Sequence, residues 1–306
     1  MRNAAMNFRV GGGVFTGKRF EHLVMMIPKI LLNNGVAVPA VGFGTYKAPD
    51  DAEGREAVRR AIDCGYRLID TASLYDNERA VGQAIAESGV GRDELVVTTK
   101  VANADRGYDS TLRAFDRSAQ ALGLDYVDLY LIHWPASAAV ADDWQRINAE
   151  TWRAMCRLLS EGRVRAIGVS NFGREHLDAL ARESDIVPAV NQIEFHPGWM
   201  QLDTLSRCRE ADIAVEGWSP LGRTRVLNDP LLVSIARAHG RSVAQICLRW
   251  AVQHGVIPLP KSLHAERMAQ NINLFDFSLS PTEMAAIDAM PPTGQSGLTP
   301  DNVDFR

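Results

Sequence analysis

The sequence contains few cysteines and no pairing of cysteine and histidine that is typical of a metal site. Its 306 residues include four cysteines, Cys64, Cys156, Cys208 and Cys247. No two of them form a C-x-x-C pair, the spacing expected of many zinc and redox sites. We therefore interpret them as reduced core or helix residues and expect no bound metal.

Long apolar runs and blocks of like charge are also missing. No stretch approaches the roughly 20 apolar residues that span a membrane. The 33 basic and 37 acidic residues give a formal net charge of −4 without forming a single-sign block. This pattern argues against membrane and nucleic-acid partners. We expect a cytoplasmic protein, and a monomer, because no large apolar stripe is left uncovered.

The first 24 residues lack the apolar core of a signal peptide. The segment "GGVFTGKR", residues 12–19, nearly matches the phosphate-loop pattern G-x-x-x-x-G-K-[ST]. Arg19 occupies the Ser/Thr position that would bind Mg²⁺, and neither a strand nor an amphipathic helix flanks the pattern. We expect residues 1–24 to form a flexible extension and residues 25–306 to form one domain.

From Lys29 onwards, short apolar runs alternate with amphipathic segments. The tripeptide Asn33-Asn34-Gly35 between two apolar runs predicts a β-hairpin. The later apolar runs predict strands at 41–44, 68–70, 95–100, 127–133, 164–170, 189–194, 213–219 and 256–260. The amphipathic segments predict helices at about 52–64, 77–88, 109–122, 149–161, 173–183, 200–211, 230–239, 242–254 and 264–272. One more helix, 280–290, precedes a proline- and glycine-rich tail, 291–306.

Eight strand–helix units over about 230 residues favour an α/β fold of the (β/α)₈ TIM barrel type. Strands without polar alternation indicate a parallel sheet that is covered on both faces. A doubly wound sheet is the alternative, but "VGFGTY", residues 41–46, does not supply the G-x-G-x-x-G expected after its first strand. The prediction is a TIM barrel with an N-terminal β-hairpin and an additional C-terminal helix.

Polar residues end three consecutive predicted strands. Asp70, Lys100 and His133 each follow an apolar run, and Tyr75 stands in the loop after Asp70. Each has an ordinary explanation when taken alone: a helix cap, a solvated strand end or a satisfied core histidine. Because the active site of a barrel lies at the carboxyl ends of its strands, the joint pattern favours one polar cluster.

These four groups are suited to protonating a carbonyl oxygen while hydride reaches its carbon. A free phenol has a pKa of about 10, and a nearby ammonium lowers it. We therefore expect Lys100 to lower the pKa of Tyr75, Asp70 to hold Lys100, and His133 to donate to the substrate oxygen. The set lacks a nucleophile–base pair for acyl transfer.

A hydride donor fits the later strand ends. Lys261, Ser262 and Arg267 surround a predicted helix start, where free N–H groups favour anions. Loops after the last two strands of a barrel often hold phosphate, which suits a phosphorylated nucleotide such as NADP. Ser170-Asn171 and Gln192 at strand ends can hold a carboxamide. Trp218 can stack on a nicotinamide, although a core role is equally compatible with its position.

The chain resembles the aldo-keto reductases over about residues 27–290, especially the bacterial group that includes 2,5-diketo-gluconate reductases. The resemblance rests on "GYRLIDTASLYDNE", "LGLDYVDLYLIHWP", "GRVRAIGVSNF", "NQIEFHP", "WSPLG" and "IPLPKS". It implies Tyr75 as general acid, Asp70 and Lys100 as the residues that tune it, and His133 as the residue that orients the carbonyl.

The resemblance also implies NADPH or NADP⁺ bound across the barrel mouth without a Rossmann fold. The residues implied in cofactor binding are Thr45, Ser170, Asn171, Gln192, Trp218, Ser219, Leu221, Gly222, Lys261, Ser262, Arg267, Gln270 and Asn271. Gln270 departs from a glutamate that is frequent in the family, which bears on adenine contacts. Ala102 replaces a frequent aromatic residue, which implies a substrate pocket that is either wider or shaped by another loop. Tyr46 and Trp134 are its expected walls, with simple packing at the rim as the alternative.

Taken together, these features predict an NADPH-dependent reductase of small aldehydes, ketones or keto-sugars. The alternative is an NADP-binding regulatory or redox-sensing subunit on the same fold with little turnover. A third interpretation, a phosphate-sugar isomerase, would need a glutamate base at a late strand end, for which Glu194 is the candidate.

Overall fold

Strands and helices alternate along the chain in the computed structural model, which describes residues 27–137 and 143–304. The extension predicted for 1–24, with its glycine-rich pattern, lies outside the described residues. The strands are β1 (Lys29–Leu31), β2 (Ala37–Pro39), β3 (Phe43–Gly44), β4 (Leu68–Asp70), β5 (Val96–Val101), β6 (Val127–Ile132), β7 (Val164–Ser170), β8 (Val190–Glu194), β9 (Ala214–Trp218) and β10 (Val256–Pro258). The α-helices are α1 (Ala52–Asp63), α2 (Glu78–Glu87), α3 (Tyr108–Leu122), α4 (Trp144–Ser160), α5 (Arg174–Glu183), α6 (Leu202–Glu210), α7 (Pro230–His239), α8 (Val243–Gln253), α9 (Ala265–Ile272) and α10 (Pro281–Asp288).

Strands β3 to β10 form one parallel sheet in sequence order. Backbone hydrogen bonds join its first and last strands: the N–H of Gly42 donates to Pro258 O at 3.0 Å and that of Gly44 to Pro260 O at 3.1 Å. The sheet therefore closes on itself, and the predicted (β/α)₈ barrel is confirmed. Within the described residues, no helix is both long and apolar enough to cross a membrane.

Residues along each strand point alternately into the barrel and towards the helices. Leu129 and Leu131 of β6 belong to an inner apolar cluster, whereas Tyr130 and Ile132 join the outer cluster between sheet and helices. Leu32 and Val38, from the antiparallel hairpin β1–β2, pack into the inner cluster. The hairpin thus covers the amino-terminal end of the barrel, and the polar residues of the interior lie towards the opposite end.

Most element ends differ from the predicted ones by one or two residues, which is the normal uncertainty of helix and strand boundaries. Helix α4 is the larger correction, because it begins at Trp144 instead of 149. The Trp144 ring packs edge-on against His176 at 4.7 Å, and buried Asn148 donates to Pro135 O. These tertiary contacts extend the helix through a polar segment that has little helical periodicity of its own.

Candidate active site

Side chains from three consecutive strands and one loop meet at the carboxyl end of the barrel. Lys100 Nζ lies 2.7 Å from Asp70 Oδ1, 2.9 Å from Thr71 O and 3.4 Å from the Tyr75 hydroxyl. The rings of Tyr75 and His133 lie edge to face, 5.6 Å apart between centroids. Lys100 is fully buried, which excludes the solvated strand end as an explanation of this residue. The four predicted residues therefore form one cluster.

The loop after β4 is shaped to present Tyr75. A single 3₁₀ turn, Ser73–Tyr75, ends at Asp76, whose φ of 53° places it in the left-handed region. Asn77 is buried and was not singled out in the sequence; its side chain accepts from Thr71 Oγ1 and donates to Thr45 O. Asn77 thus ties this loop to the loop after β3.

The electrostatics of Tyr75 correct the prediction that its pKa falls. Burial raises the pKa of Tyr75 to about 12, and the nearby Lys100 ammonium lowers it only in part. Burial dominates because a phenolate loses more hydration there than one ammonium restores. Tyr75 therefore retains its proton at neutral pH.

Lys100 and His133 respond differently to the same buried setting. Burial opposes the charge of Lys100, but Asp70, with Tyr75 and Glu216, outweighs burial and raises the pKa of Lys100 above its usual range. Burial, assisted by the Lys100 charge, holds the pKa of His133 well below its ordinary value. At neutral pH the cluster therefore combines a cationic lysine with a neutral imidazole, which has a single N–H to donate.

A second carboxylate lies deeper in the barrel, and the sequence analysis missed it. Gln192 Nε2 donates to Asp70 Oδ1 at 2.8 Å and to Glu216 Oε2 at 2.7 Å. Glu216 is fully buried on β9, directly across from Gln192 in register. Burial, together with the Asp70 charge, raises the pKa of Glu216 to about 7. The signal for it was a charged residue inside the apolar run "IAVEGW".

A cavity of about 440 Å³ opens beside this cluster. It brings together twelve of the residues predicted for catalysis, cofactor binding or substrate contact: Tyr46, Asp70, Tyr75, His133, Trp134, Ser170, Asn171, Gln192, Trp218, Ser219, Leu221 and Lys261. It is also lined by residues that were not predicted, among them Lys47, Leu74, Arg223 and Leu298.

The amide side chains on the cavity wall are already oriented by the protein. Asn171 Nδ2 donates to His133 O and to Ser170 Oγ, and its Oδ1 accepts from Trp218 Nε1 at 2.8 Å. Both N–H groups of the Gln192 amide donate to carboxylates. The Gln192 oxygen and one lone pair of Asn171 Oδ1 therefore remain as acceptors, and the half-buried Trp218 ring is held by its hydrogen bond to Asn171.

Basic residues gather at one side of the cavity. Lys47, Arg223 and Lys261 line it, and Lys47 and Arg223 have φ values of 63° and 53°. Ser262 is buried and its Oγ accepts from the N–H of His264, just before α9. On α9 itself, Arg267 and Gln270 are exposed and Asn271 is buried. Partly exposed cations next to a helix start suit a phosphate group.

The loop after β9 makes a tight turn beside the cavity. Ser219 has a φ of 48°, and the N–H of Gly222 donates back to Ser219 O at 2.8 Å. Across the mouth, Thr45 is fully buried, and its Oγ1 has no hydrogen-bond partner among the described residues.

Two of the three residues predicted for the substrate pocket line the cavity. Tyr46 lies 5.1 Å from Tyr75 between ring centroids, and Trp134 lines the wall. Within the described part of the chain, Ala102 is not one of the lining residues. Ala102 is buried, and the wider pocket that it implies stays a prediction.

The C-terminal tail supplies another wall. Glu194, at the end of β8, accepts from Ser296 N and Ser296 Oγ, both at 2.8 Å, and Leu298 reaches the cavity. Because both oxygens of Glu194 hold the tail, this carboxylate is committed to structure. The isomerase interpretation, which needs Glu194 as a base, loses its support.

Known proteins resemble this chain in sequence and fold. A model of the Aldo/keto reductase family matches residues 40–291. The chain is 48% identical to morphine 6-dehydrogenase of Pseudomonas putida over 290 residues, which cover 90% of this chain and 96% of that protein. It is 46% identical to glyoxal reductase of Bacillus subtilis (strain 168) over 276 residues, which cover 90% and 97%.

A solved structure agrees with the sequence relatives. The aldo-keto reductase of Bombyx mori in complex with NADP superposes with a TM-score of 0.79 at 41% identity, covering 86% of this chain and 92% of that chain. Fold, sequence and the family model therefore agree over most of the chain. The protein belongs to the aldo/keto reductase family.

Proposed function

We propose that this chain is an NADPH-dependent reductase of small aldehydes, ketones or keto-sugars, with Tyr75 as the general acid. The observation that carries this proposal is the contact between the Tyr75 hydroxyl and the buried Lys100 ammonium, beside a cavity that also presents His133. One relative is a glyoxal reductase and another a morphine 6-dehydrogenase. Because the molecules in these two names differ greatly in size, the two relatives support a broad substrate range.

The residues around the cavity fit NADPH, which supplies a hydride when it is bound. The Gln192 oxygen and the second lone pair of Asn171 Oδ1 can accept from a carboxamide, and Trp218 offers a fixed ring face. Lys261 and its basic neighbours can hold phosphate groups. The predicted contact of Thr45 with the cofactor has less support, because Thr45 is buried and is not among the residues that line the cavity. A solved relative holds NADP, which supports the same choice.

In the proposed mechanism, Tyr75 gives its proton to the carbonyl oxygen as that oxygen becomes negatively charged. The high pKa of Tyr75 keeps the proton available at neutral pH, and the Lys100 ammonium stabilises the phenolate that remains. The neutral imidazole of His133 donates its N–H to the same carbonyl oxygen and so orients it. Asp70 keeps Lys100 charged throughout.

The direct test follows NADPH absorbance with methylglyoxal, an aromatic aldehyde and a diketo-sugar acid, beside Tyr75→Phe. We expect the variant to lose at least about 10²-fold in turnover, a typical contribution of a general acid. Its NADPH affinity should stay close to that of the wild type, because Phe keeps the ring and removes only the hydroxyl.

Substantial turnover by Tyr75→Phe would contradict the assignment of the acid. Binding of NADPH without turnover of any substrate would favour the regulatory or redox-sensing subunit. Preference for the diketo-sugar acid over both aldehydes would support the narrower resemblance to the 2,5-diketo-gluconate reductases.

A further inference from the structure

Glu216 is a buried carboxylate that the proposed mechanism does not use. Its Oε2 accepts from Gln192 Nε2 at 2.7 Å, while its Oε1 has no hydrogen-bond partner among the described residues. The register neighbours of Glu216 on the adjacent strands are Gln192 and Ile257, and neither of them titrates. A carboxylate with one free buried oxygen is costly when ionised and far less so when protonated.

The charges around Glu216 do not balance if both carboxylates are ionised. The charged groups that act on it are Asp70 on β4 and Lys100 on β5. The single ammonium is already 2.7 Å from Asp70. With Glu216 protonated, the buried group of Asp70, Lys100 and Glu216 has no net charge; with Glu216 ionised, it carries one negative charge.

Gln192 separates the two carboxylates and cannot pass a proton between them. Both hydrogens of its amide are donated, one to Asp70 Oδ1 and one to Glu216 Oε2. Glu216 therefore acts on the reaction through charge and through the orientation of Gln192.

We propose that Glu216 is a positioning residue whose protonation state controls how readily Tyr75 gives up its proton during carbonyl reduction. The inference rests on the proposed function. When the Tyr75 O–H bond breaks and the substrate O–H bond forms, the phenolate adds one negative charge to the group. That charge is added to a neutral group if Glu216 is protonated and to an anionic group if it is ionised.

Ionisation of Glu216 should therefore slow the proton-coupled hydride step. For two like charges roughly 10 Å apart at an effective dielectric constant of about 20, the repulsion corresponds to a step that is roughly tenfold slower. The pKa of Glu216, raised to about 7 by burial and by Asp70, places this change near neutral pH. Tyr75 itself, with its pKa of about 12, does not titrate in that range.

The first measurement needs no cofactor: the free energy of unfolding of the wild type and of Glu216→Gln from pH 4.5 to 9. The pKa of Glu216 is raised in the folded state, so ionisation penalises the wild type fully above pH 7. The penalty disappears as pH falls from 7 towards the unfolded value near 4.3. We expect the variant to gain stability relative to the wild type as pH rises through this window.

The second measurement is the single-turnover rate of hydride transfer between pH 6 and 8.5. We expect the wild type to slow by roughly tenfold around pH 7 and Glu216→Gln to lose this decline. Asp128→Asn, which removes a buried carboxylate at the other end of the barrel, should keep it. If Glu216→Gln does not fold, Glu216→Met removes the same charge and should give the same flat profile.

A stability difference that is independent of pH would overturn the inference, as would an alkaline decline that persists in both Glu216 variants. A variant that is slower by the same factor at every pH would indicate a structural role and would also overturn it. Loss of turnover in Tyr75→Phe, together with any of these three results, would leave the proposed function standing. Absence of turnover in the wild type would remove the proposed function. The stability data alone would then show whether Glu216 titrates near pH 7.

Discussion

Two buried aspartates at opposite ends of the barrel differ in how many positive groups surround them. Asp128, near the start of β6, accepts from Arg92 at 2.6 Å, from Arg165 at 3.0 Å and from the N–H of Val97 at 3.0 Å. Asp70, at the end of β4, has one ammonium that also faces the second carboxylate, Glu216. At the amino-terminal end, two guanidinium groups lie beside one carboxylate. At the carboxyl end, one ammonium lies near two carboxyl groups.

This difference suggests that one cluster contributes to the stability of the fold and the other to the reaction. Removing the carboxylate from an ion cluster such as that of Asp128 destabilises the folded state, because its positive charges are left without a partner. A buried cluster with fewer positive charges than carboxylates is costly to fold. Such clusters are found where charge moves during a reaction. The amino-terminal cluster should therefore control unfolding, and the carboxyl-terminal cluster should control turnover.

Asp70→Asn should have the largest effect. Without the Asp70 charge, burial lowers the pKa of Lys100, and a neutral amine cannot stabilise the Tyr75 phenolate. We expect turnover to fall by at least about 10²-fold, measured as kcat under saturating NADPH and substrate. A fall of less than about threefold would mean that Lys100 keeps its charge without Asp70, and the contrast between the two ends would weaken.

Asp128→Asn should have the converse effect. The substitution leaves Arg92 and Arg165 without their carboxylate, and breaking a buried pair costs about 3 kcal/mol or more. We expect about 3 kcal/mol, since Arg165 is half exposed and water screens its charge. Urea unfolding measures the loss, and kcat at a temperature where the variant is folded should stay within about twofold of the wild type. A large loss of turnover by the folded variant would break the comparison.

Lys261→Ala combined with Arg267→Ala should have the smallest effect of the three. These partly exposed cations at the carboxyl end are proposed to bind the extra phosphate of NADPH, which NADH lacks. We expect NADPH affinity to fall by about 10- to 100-fold and NADH affinity to change by less than about threefold, measured by tryptophan fluorescence titration. Lys29→Ala, an exposed lysine on the hairpin at the other end, is the matched control. Equal weakening of both nucleotides would place the phosphate site elsewhere.

The strand-end residues were predictable because parallel strands of a barrel present their carboxyl ends together. Asp70, Lys100 and His133 needed only the strand order and an apolar run before each of them. Glu216 and Asp128 carried a similar signal, a charged residue inside an apolar strand, which cannot be left unpaired without cost.

Two features could not be predicted from the sequence for physical reasons. The direction of the Tyr75 pKa shift depends on burial, and a sequence shows the neighbouring charge more readily than the lost hydration. The contact between Glu194 and Ser296 joins positions 102 residues apart, and no periodic pattern marks the tail that carries Leu298. Such contacts depend on how a loop folds back over a completed barrel.

The closure of the barrel has a consequence for synthesis of the protein. Gly42 and Gly44 bond to a strand that lies more than 200 residues later in the chain. Until the ribosome has released that last strand, β3 keeps an open edge, and an open strand edge can pair with another chain. Nascent chains of this protein therefore carry their greatest risk of aggregation late in translation, after most of the sheet has been made but before β10 is free to cover its edge.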